Sequence, residues 1–374
     1  MHGHKLPPKD RFLLPASFFL RYSFASFYLC VCGGAGVEQT HNPKSTMDKL
    51  IAKDVSYLPD ISVSAGRENT STKVVVKHYR TEAVPGTDTS FACLLPEGGK
   101  NCPVILFMHG YGGSSDAHIP QAAQLAAKGY VVVLPDREGD DRHGFFPGIF
   151  TFMMFATPLS QVSVSGETLL LALEYVEAAT ACSGGPLSGG VVDTSTIIAC
   201  GFSMGGVEAI NFAATKKEKV KALVLISPSI MNFGTVSWRI SQAGLRETAK
   251  TIEVPTLIVT SDNDMAAVSA FSYHESVFPD STLVSIKTTS LDLDCPNTCK
   301  SSWSPFLGNV PGKAMGLNDH FALACEEGPT HMAVVPFLEN VIDTGKAGDL
   351  GIAEEDWVAK NEMTYSKAFQ VMFG

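Results

Sequence analysis

The sequence has no cluster of lysine and arginine at the density of a nucleic-acid-binding motif. Its 28 basic residues are outnumbered by 38 acidic ones, for a formal net charge of −10. A surface of that sign repels a phosphate backbone, so no nucleic-acid partner is expected. The sequence also lacks an uninterrupted apolar run of the ~20 residues that cross a bilayer. Its nearest approach, "FLLPASFFLRYSFASFYLCVCGGAG", is split by Arg21, so no stable membrane span is expected. There is no internal repeat, and no set of four Cys and His residues at zinc-ligand spacing. Neither a metal nor an organic cofactor is expected, and nothing in the composition calls for more than a monomer.

The nine cysteines are scattered rather than arrayed. Cys200 lies in an apolar strand pattern and reads as a buried thiol. Cys93 and Cys102 flank "LLPEGGKN", which reads as a hairpin loop that would let them face each other. Cys295 and Cys299 frame "CPNTC", with Cys325 beyond. This arrangement is compatible with a disulfide in an oxidising compartment.

The first 46 residues differ from the rest. A basic stretch, "HGHKLPPKDR", precedes the broken apolar run, and small residues follow at 33–36. That order fits a leader for secretion or plastid targeting. The competing reading makes Met47 the start, which would leave the protein in the cytoplasm. Asn69-Thr70-Ser71 forms a glycosylation sequon, relevant only to a secreted chain.

From residue 47 to 344 the pattern is that of one α/β domain. "KVVVKHYR" and "SFACLLP" have no helix between them and read as an antiparallel hairpin at the edge of a sheet. Strand-like "PVILFMHG", "YVVVLPD", "STIIACGFS", "VKALVLISPS", "VPTLIVTSDND" and "STLVSIKTTS" then alternate with helical "HIPQAAQLAAKG", "SGETLLLALEYVEAATA", "MGGVEAINFAATK" and "AVSAFSYHESVF". "HMAVVPFLENVID" reads as a last core helix. Continuous Val/Ile/Leu strands alternating with helices predict a mostly parallel, eight-stranded sheet covered on both faces. Residues 137–161 and 291–330 read as insertions, and 345–374 as a helical appendage.

Sites in such sheets form beyond the carboxyl ends of the strands. One of these ends reads Gly201-Phe202-Ser203-Met204-Gly205-Gly206, a G-x-S-x-G between a strand and a helix. A serine in that turn projects above the sheet, and the following helix aims its N-terminus at the same place, favouring developing negative charge. Ser203 is therefore the candidate nucleophile. His109-Gly110-Tyr111-Gly112-Gly113 closes another strand. The backbone N–H groups of Tyr111 and Met204 are the candidate oxyanion hole, with His109 structural. An acid and then a histidine should follow in the chain. Asp264 is preferred to Asp262 because it lies deeper in its loop. His331, where a loop enters the final helix, is preferred as base to His320.

These motifs, "HGYGG", "GFSMGG", "VPTLIVTSDNDMAAV" and "PTH", resemble the α/β-hydrolase superfamily. The resemblance runs from about residue 73 to 343 and is nearest to the branch of cutinase-like polyester hydrolases, dienelactone-hydrolase-type enzymes and chlorophyllases. It implies the α/β-hydrolase fold, a Ser203–His331–Asp264 triad, the Tyr111/Met204 oxyanion hole, and Asp193 as a structural residue opening the strand before Ser203. Two departures stand out. Ser229 falls about where polyester hydrolases carry Trp, and Phe202 and Met204 stand where chlorophyllases carry His and Arg. The Phe- and Met-rich "FFPGIFTFMMFATP" reads either as core packing or as an apolar cap. In the second case Phe145, Phe146 and Phe150, with Phe202, would bind substrate. The activity implied is that of a serine carboxylic-ester hydrolase acting on a small hydrophobic ester. The alternatives are a chlorophyllase-like pigment esterase, an acyltransferase, a serine peptidase on the same fold, or a non-catalytic binding protein.

Overall fold

The structure is a computed structural model. It describes residues 55–65, 72–84, 87, 89–110, 114–137, 166–228, 245–262, 264, 266–286, 323, 329–351 and 357–358. Residues 1–46, the sequon, Tyr111, residues 138–165, Ser229, most of the segment 291–330 including His320, and Cys295, Cys299 and Cys325 lie outside them.

Ten strands form one sheet among the described residues: β1 (Val55–Ala65), β2 (Thr72–Thr81), β3 (Thr89–Pro96), β4 (Cys102–Met108), β5 (Val131–Arg137), β6 (Val192–Phe202), β7 (Val220–Ile226), β8 (Thr256–Ser261), β9 (Thr282–Ile286) and β10 (Trp357–Val358). Their order is β1-β2-β3-β5-β4-β6-β7-β8-β9-β10. The run from β5 to β9 is parallel throughout. β1, β2 and β3 attach antiparallel at one side and β10 at the other.

Two strands exceed the eight expected. β1 places a further strand outside the β2–β3 hairpin, which is therefore not the edge. β10 falls in the segment read as a helical appendage and pairs Trp357 with Ile286. With only two residues it carries no periodicity from which a strand could be read.

Five helices with both ends among the described residues cover the sheet: α1 (Ile119–Ala127), α2 (Glu167–Ala181), α3 (Gly205–Thr215), α4 (Ala267–Ser276) and α5 (Pro329–Thr344). The period-2 alternation of the strands sorts side chains to the two faces of the sheet. From β6, Ile197 and Ala199 enter the cluster covered by α2, α3 and α4. Ile198, Cys200 and Phe202 enter the opposite cluster, covered by α1 and α5. β4 divides in the same way, Val104, Leu106 and Met108 to the first face and Ile105 and Phe107 to the second. Both faces are dry, which is why these strands read as continuous apolar runs.

The expected Cys93–Cys102 pairing does not occur: both thiols are buried and free. The loop between them is not a hairpin, because β5 lies between β3 and β4. Two strand spacings alone are about 10 Å, beyond the reach of a disulfide, and the register sets Cys93 level with Leu106, not Cys102. Cys93 instead packs with Tyr79 and Tyr175, and burial pushes its thiol up to about 12. Cys200 is a buried free thiol, as its strand pattern predicts.

Candidate active site

Ser203 follows the last residue of β6 with φ of +54°. A residue with a side chain adopts this left-handed backbone only where its surroundings over-determine it. Three contacts do so. The Ser203 N–H donates to the Ile226 carbonyl at the end of β7, at 3.0 Å. The Ser203 carbonyl accepts the Gly206 N–H at 3.0 Å, starting α3. The flanking glycines admit the close crossing: a Cβ at Gly201 would meet the Gly205 carbonyl oxygen at 2.2 Å, and one at Gly205 would meet the Met108 carbonyl oxygen at 2.2 Å. The two glycines of G-x-S-x-G are thus required by backbone passing backbone.

The end of β4 reaches the same point. A Cβ at Gly110 would lie 2.9 Å from the Ser203 Cβ. The corner that leads into the expected oxyanion loop therefore comes up against Ser203, the candidate nucleophile. Met204 directly follows Ser203 as the residue capping α3, and is buried. Tyr111 lies outside the described residues. Phe202, expected among the substrate-binding side chains, is buried against the His118 ring, 5.3 Å between centroids. Phe145, Phe146 and Phe150 lie outside the described residues.

Asp264 follows the end of β8 and is 2 % exposed. Its Oδ1 accepts the Ala266 N–H at 2.8 Å, and its Oδ2 accepts the Thr260 hydroxyl at 3.0 Å and the Ser227 hydroxyl. Asp262, the rival acid, is half-buried on the same loop. The strand ends that carry Ser203, Ser227 and Asp264 are consecutive in the sheet, Phe202 being in register with Ile226 and Ile226 with Val259.

His331 stands in the first turn of α5. Both ring nitrogens are buried and neither makes a hydrogen bond, so the structure does not join His331 to Asp264 or to Ser203. Burial, with Lys128 as a second cause, pushes its pKa down to about 4. The imidazole is therefore neutral at pH 7. His109 is 3 % exposed, its Nδ1 is 2.8 Å from the Gly110 carbonyl oxygen, and its Nε2 is 3.7 Å from Asp136 Oδ1. Asp193 accepts the Ser195 N–H at 2.9 Å near the start of β6, a turn-fixing contact.

A polar network beneath the β4 corner was not visible in the sequence. Asp136, near the end of β5, is 5 % exposed. It accepts the Ser115 N–H at 2.6 Å, the Ser115 hydroxyl, and Arg80 Nη1 at 3.1 Å. Arg80 Nη2 also reaches the Ser115 hydroxyl at 3.0 Å and pairs with Asp116. The one available signal was an aspartate closing the otherwise apolar "YVVVLPD". Among the described residues no three His, Cys, Asp or Glu side chains converge as a metal site requires, and no helix is long and apolar enough to cross a membrane.

The model of the alpha/beta hydrolase family matches residues 105–311, more than half of the chain. The chain belongs to the alpha/beta hydrolase family. The match begins within β4 and includes Ser203 and Asp264, ending before both His320 and His331. Among solved structures, an acetyl xylan esterase from Paenibacillus sp. R4 is similar over 65% of this chain and 85% of its own, with 18% identity and a TM-score of 0.40. No curated protein matches the sequence. As a member of this family the chain is a hydrolase, built on a mostly parallel sheet with helices on both faces.

Proposed function

We propose that the protein is a serine carboxylic-ester hydrolase that works through an acyl-enzyme on Ser203. The observation that carries this reading is the left-handed backbone of Ser203 at the β6–α3 corner. A strained serine is hard to account for by packing, since glycine would take the same turn without cost. Ser203 attacks the ester carbonyl while His331 takes its proton, and Asp264 orients the imidazole and stabilises its cation. The N–H groups of Tyr111 and Met204 hold the oxyanion, aided by the N-terminus of α3. The alcohol departs with the proton from His331, and water releases the acid by the same steps.

The choice of His331 as base rests on its place after the acid in the chain and on its neutral ring. His331 makes no hydrogen bond to Asp264, and catalytic hydrogen bonds often tighten only when substrate binds. A hydrophobic ester is the proposed substrate class, supported by the Phe- and Met-rich run at 145–155.

Two assays test the reading. A serine-directed fluorophosphonate is expected to label wild type and to spare Ser203→Ala; equal labelling refutes the nucleophile. p-Nitrophenyl esters of graded chain length are expected to be hydrolysed, faster with the longer acyl chains, and failure on every ester refutes esterase activity. Loss of activity in His331→Ala with retention in His320→Ala supports the base, and the reverse pattern moves it to His320.

A further inference from the structure

We infer that Ser227 is a positioning residue that fixes the acid carboxylate and couples it to the nucleophile turn; this rests on the reading of Ser203 and Asp264 as nucleophile and acid. Ser227 follows β7 as Ser203 follows β6, and it too is in the left-handed region, with φ of +47°. It is wholly buried. Glycine is the residue that takes such a backbone freely. Here the chain keeps a side chain, and its hydroxyl donates to Asp264 Oδ2.

The backbone gives this hydroxyl a fixed origin. The Ser227 N–H donates to the Val259 carbonyl at 2.6 Å, anchoring it to β8 one residue before Thr260. The preceding carbonyl, that of Ile226, accepts the Ser203 N–H at 3.0 Å. One peptide unit at the end of β7 thus holds the nucleophile turn through its carbonyl, and the acid through the side chain of its next residue. Thr260 supplies a second hydroxyl to the same Oδ2 at 3.0 Å, and the Ala266 N–H holds Oδ1 at 2.8 Å. Donors on both oxygens fix the carboxylate plane, and an acid that must orient an imidazole depends on that plane.

The test separates the hydroxyl from the backbone. Ser227→Gly removes the hydroxyl while accepting the positive φ, so the fold should survive. With p-nitrophenyl butyrate, kcat is expected to fall about tenfold, the worth of one hydrogen bond to a charged group, with KM and the thermal midpoint little changed. Thr260→Val, which keeps shape, should also lower kcat, and Thr260→Ser should restore it. Removing both donors should cost more than the product of the single losses, because each hydroxyl covers for the other. Wild-type kcat in Ser227→Gly overturns the inference; should that variant not fold, wild-type kcat in Thr260→Val overturns it instead. Asp264→Asn and Ser203→Ala run alongside. Full activity in either refutes the triad reading and the inference with it. Their loss beside an unimpaired Ser227→Gly refutes the inference alone.

Discussion

Arg80 on β2 and Asp136 near the end of β5 form an ion pair at 3.1 Å although 56 residues separate them in the chain and β3 runs between their strands. The pair closes around Ser115, whose N–H and hydroxyl both point to Asp136. Ser115 opens the short helical turn that precedes α1 and stands two residues after the stretch expected to form the oxyanion loop. Asp136 thus ties one end of that stretch to the sheet.

Asp136→Ala leaves a half-buried guanidinium and a buried amide without their acceptor. Breaking a buried pair from one side costs about 3–5 kcal/mol. A loss of this order is expected in urea unfolding, together with reduced kcat. Asp116→Ala removes only an exposed partner of Arg80 and is expected to cost under about 1 kcal/mol. Equal losses in the two variants would deny Asp136 its central place.

The glycines of the elbow should be far less replaceable than glycines with open space. Gly205→Ala drives a methyl against the Met108 carbonyl oxygen, 2.2 Å from its ideal position, and neither backbone can yield without shifting β4 or α3. The expected result is little folded protein. Gly184 has φ of +86° with nothing within 4 Å of a Cβ, so Gly184→Ala meets only backbone strain, about 1–2 kcal/mol. Soluble yield and thermal midpoint compare the two directly, and a Gly205→Ala protein as stable as Gly184→Ala would contradict the crossing described here.

Stability should decline on acidification through two buried imidazoles. His118 lies between Phe107 and Phe202, with centroids 4.9 and 5.3 Å away. Burial first, and the neighbouring His109 second, push its pKa down to about 3. His331 is pushed to about 4, again chiefly by burial. In the unfolded chain both titrate near 6.5, so below that pH the unfolded state binds more protons and is favoured. The stabilisation is complete above pH ~6.5, and each group removes about 1.4 kcal/mol per pH unit as pH falls toward its folded value. His118→Phe keeps a ring between the phenylalanines but cannot titrate. The stability of wild type relative to this variant should therefore shrink by about 1.4 kcal/mol per unit between pH 6 and 4. Urea curves for the two proteins that keep a constant separation over this range would exclude the assignment.

Much of this architecture is legible in the residues themselves. Apolar strands such as "YVVVLPD" and amphipathic helices ending in glycine carry local periodicity, and β2 through β9 and α1 through α5 follow it. Ser203 is legible because its turn demands glycines at fixed offsets. The order of strands is not local. Nothing in "LLPEGGKN" says that the chain crosses β5 on its way from β3 to β4, so Cys93 and Cys102 read as neighbours when they are not. The supports of the site are hidden for a related reason. Arg80, Ser115 and Asp136 meet only once β2, β5 and the turn before α1 are assembled, and Ser227 and Thr260 are ordinary strand-end hydroxyls until Asp264 is set between them. His331 marks the other limit: its helix is periodic and evident, but no local pattern dictates which way its ring faces.

Replacing Ser203, the proposed nucleophile, by glycine should make the protein more stable while abolishing its ester hydrolysis. The left-handed backbone of Ser203, with φ of +54°, costs a residue with a Cβ about 1–2 kcal/mol that glycine does not incur. The added freedom of glycine in the unfolded chain returns about 0.4–1 kcal/mol of that gain. Ser203→Ala retains the Cβ and the strain, and so controls for the lost hydroxyl. Ser203→Gly is therefore expected to unfold at higher urea than Ser203→Ala, by roughly 0.5–1 kcal/mol, with neither variant hydrolysing p-nitrophenyl esters or taking the fluorophosphonate label. If Ser203→Gly is the less stable of the two, the backbone at this corner is not strained, and the principal structural support for a nucleophile at Ser203 is lost.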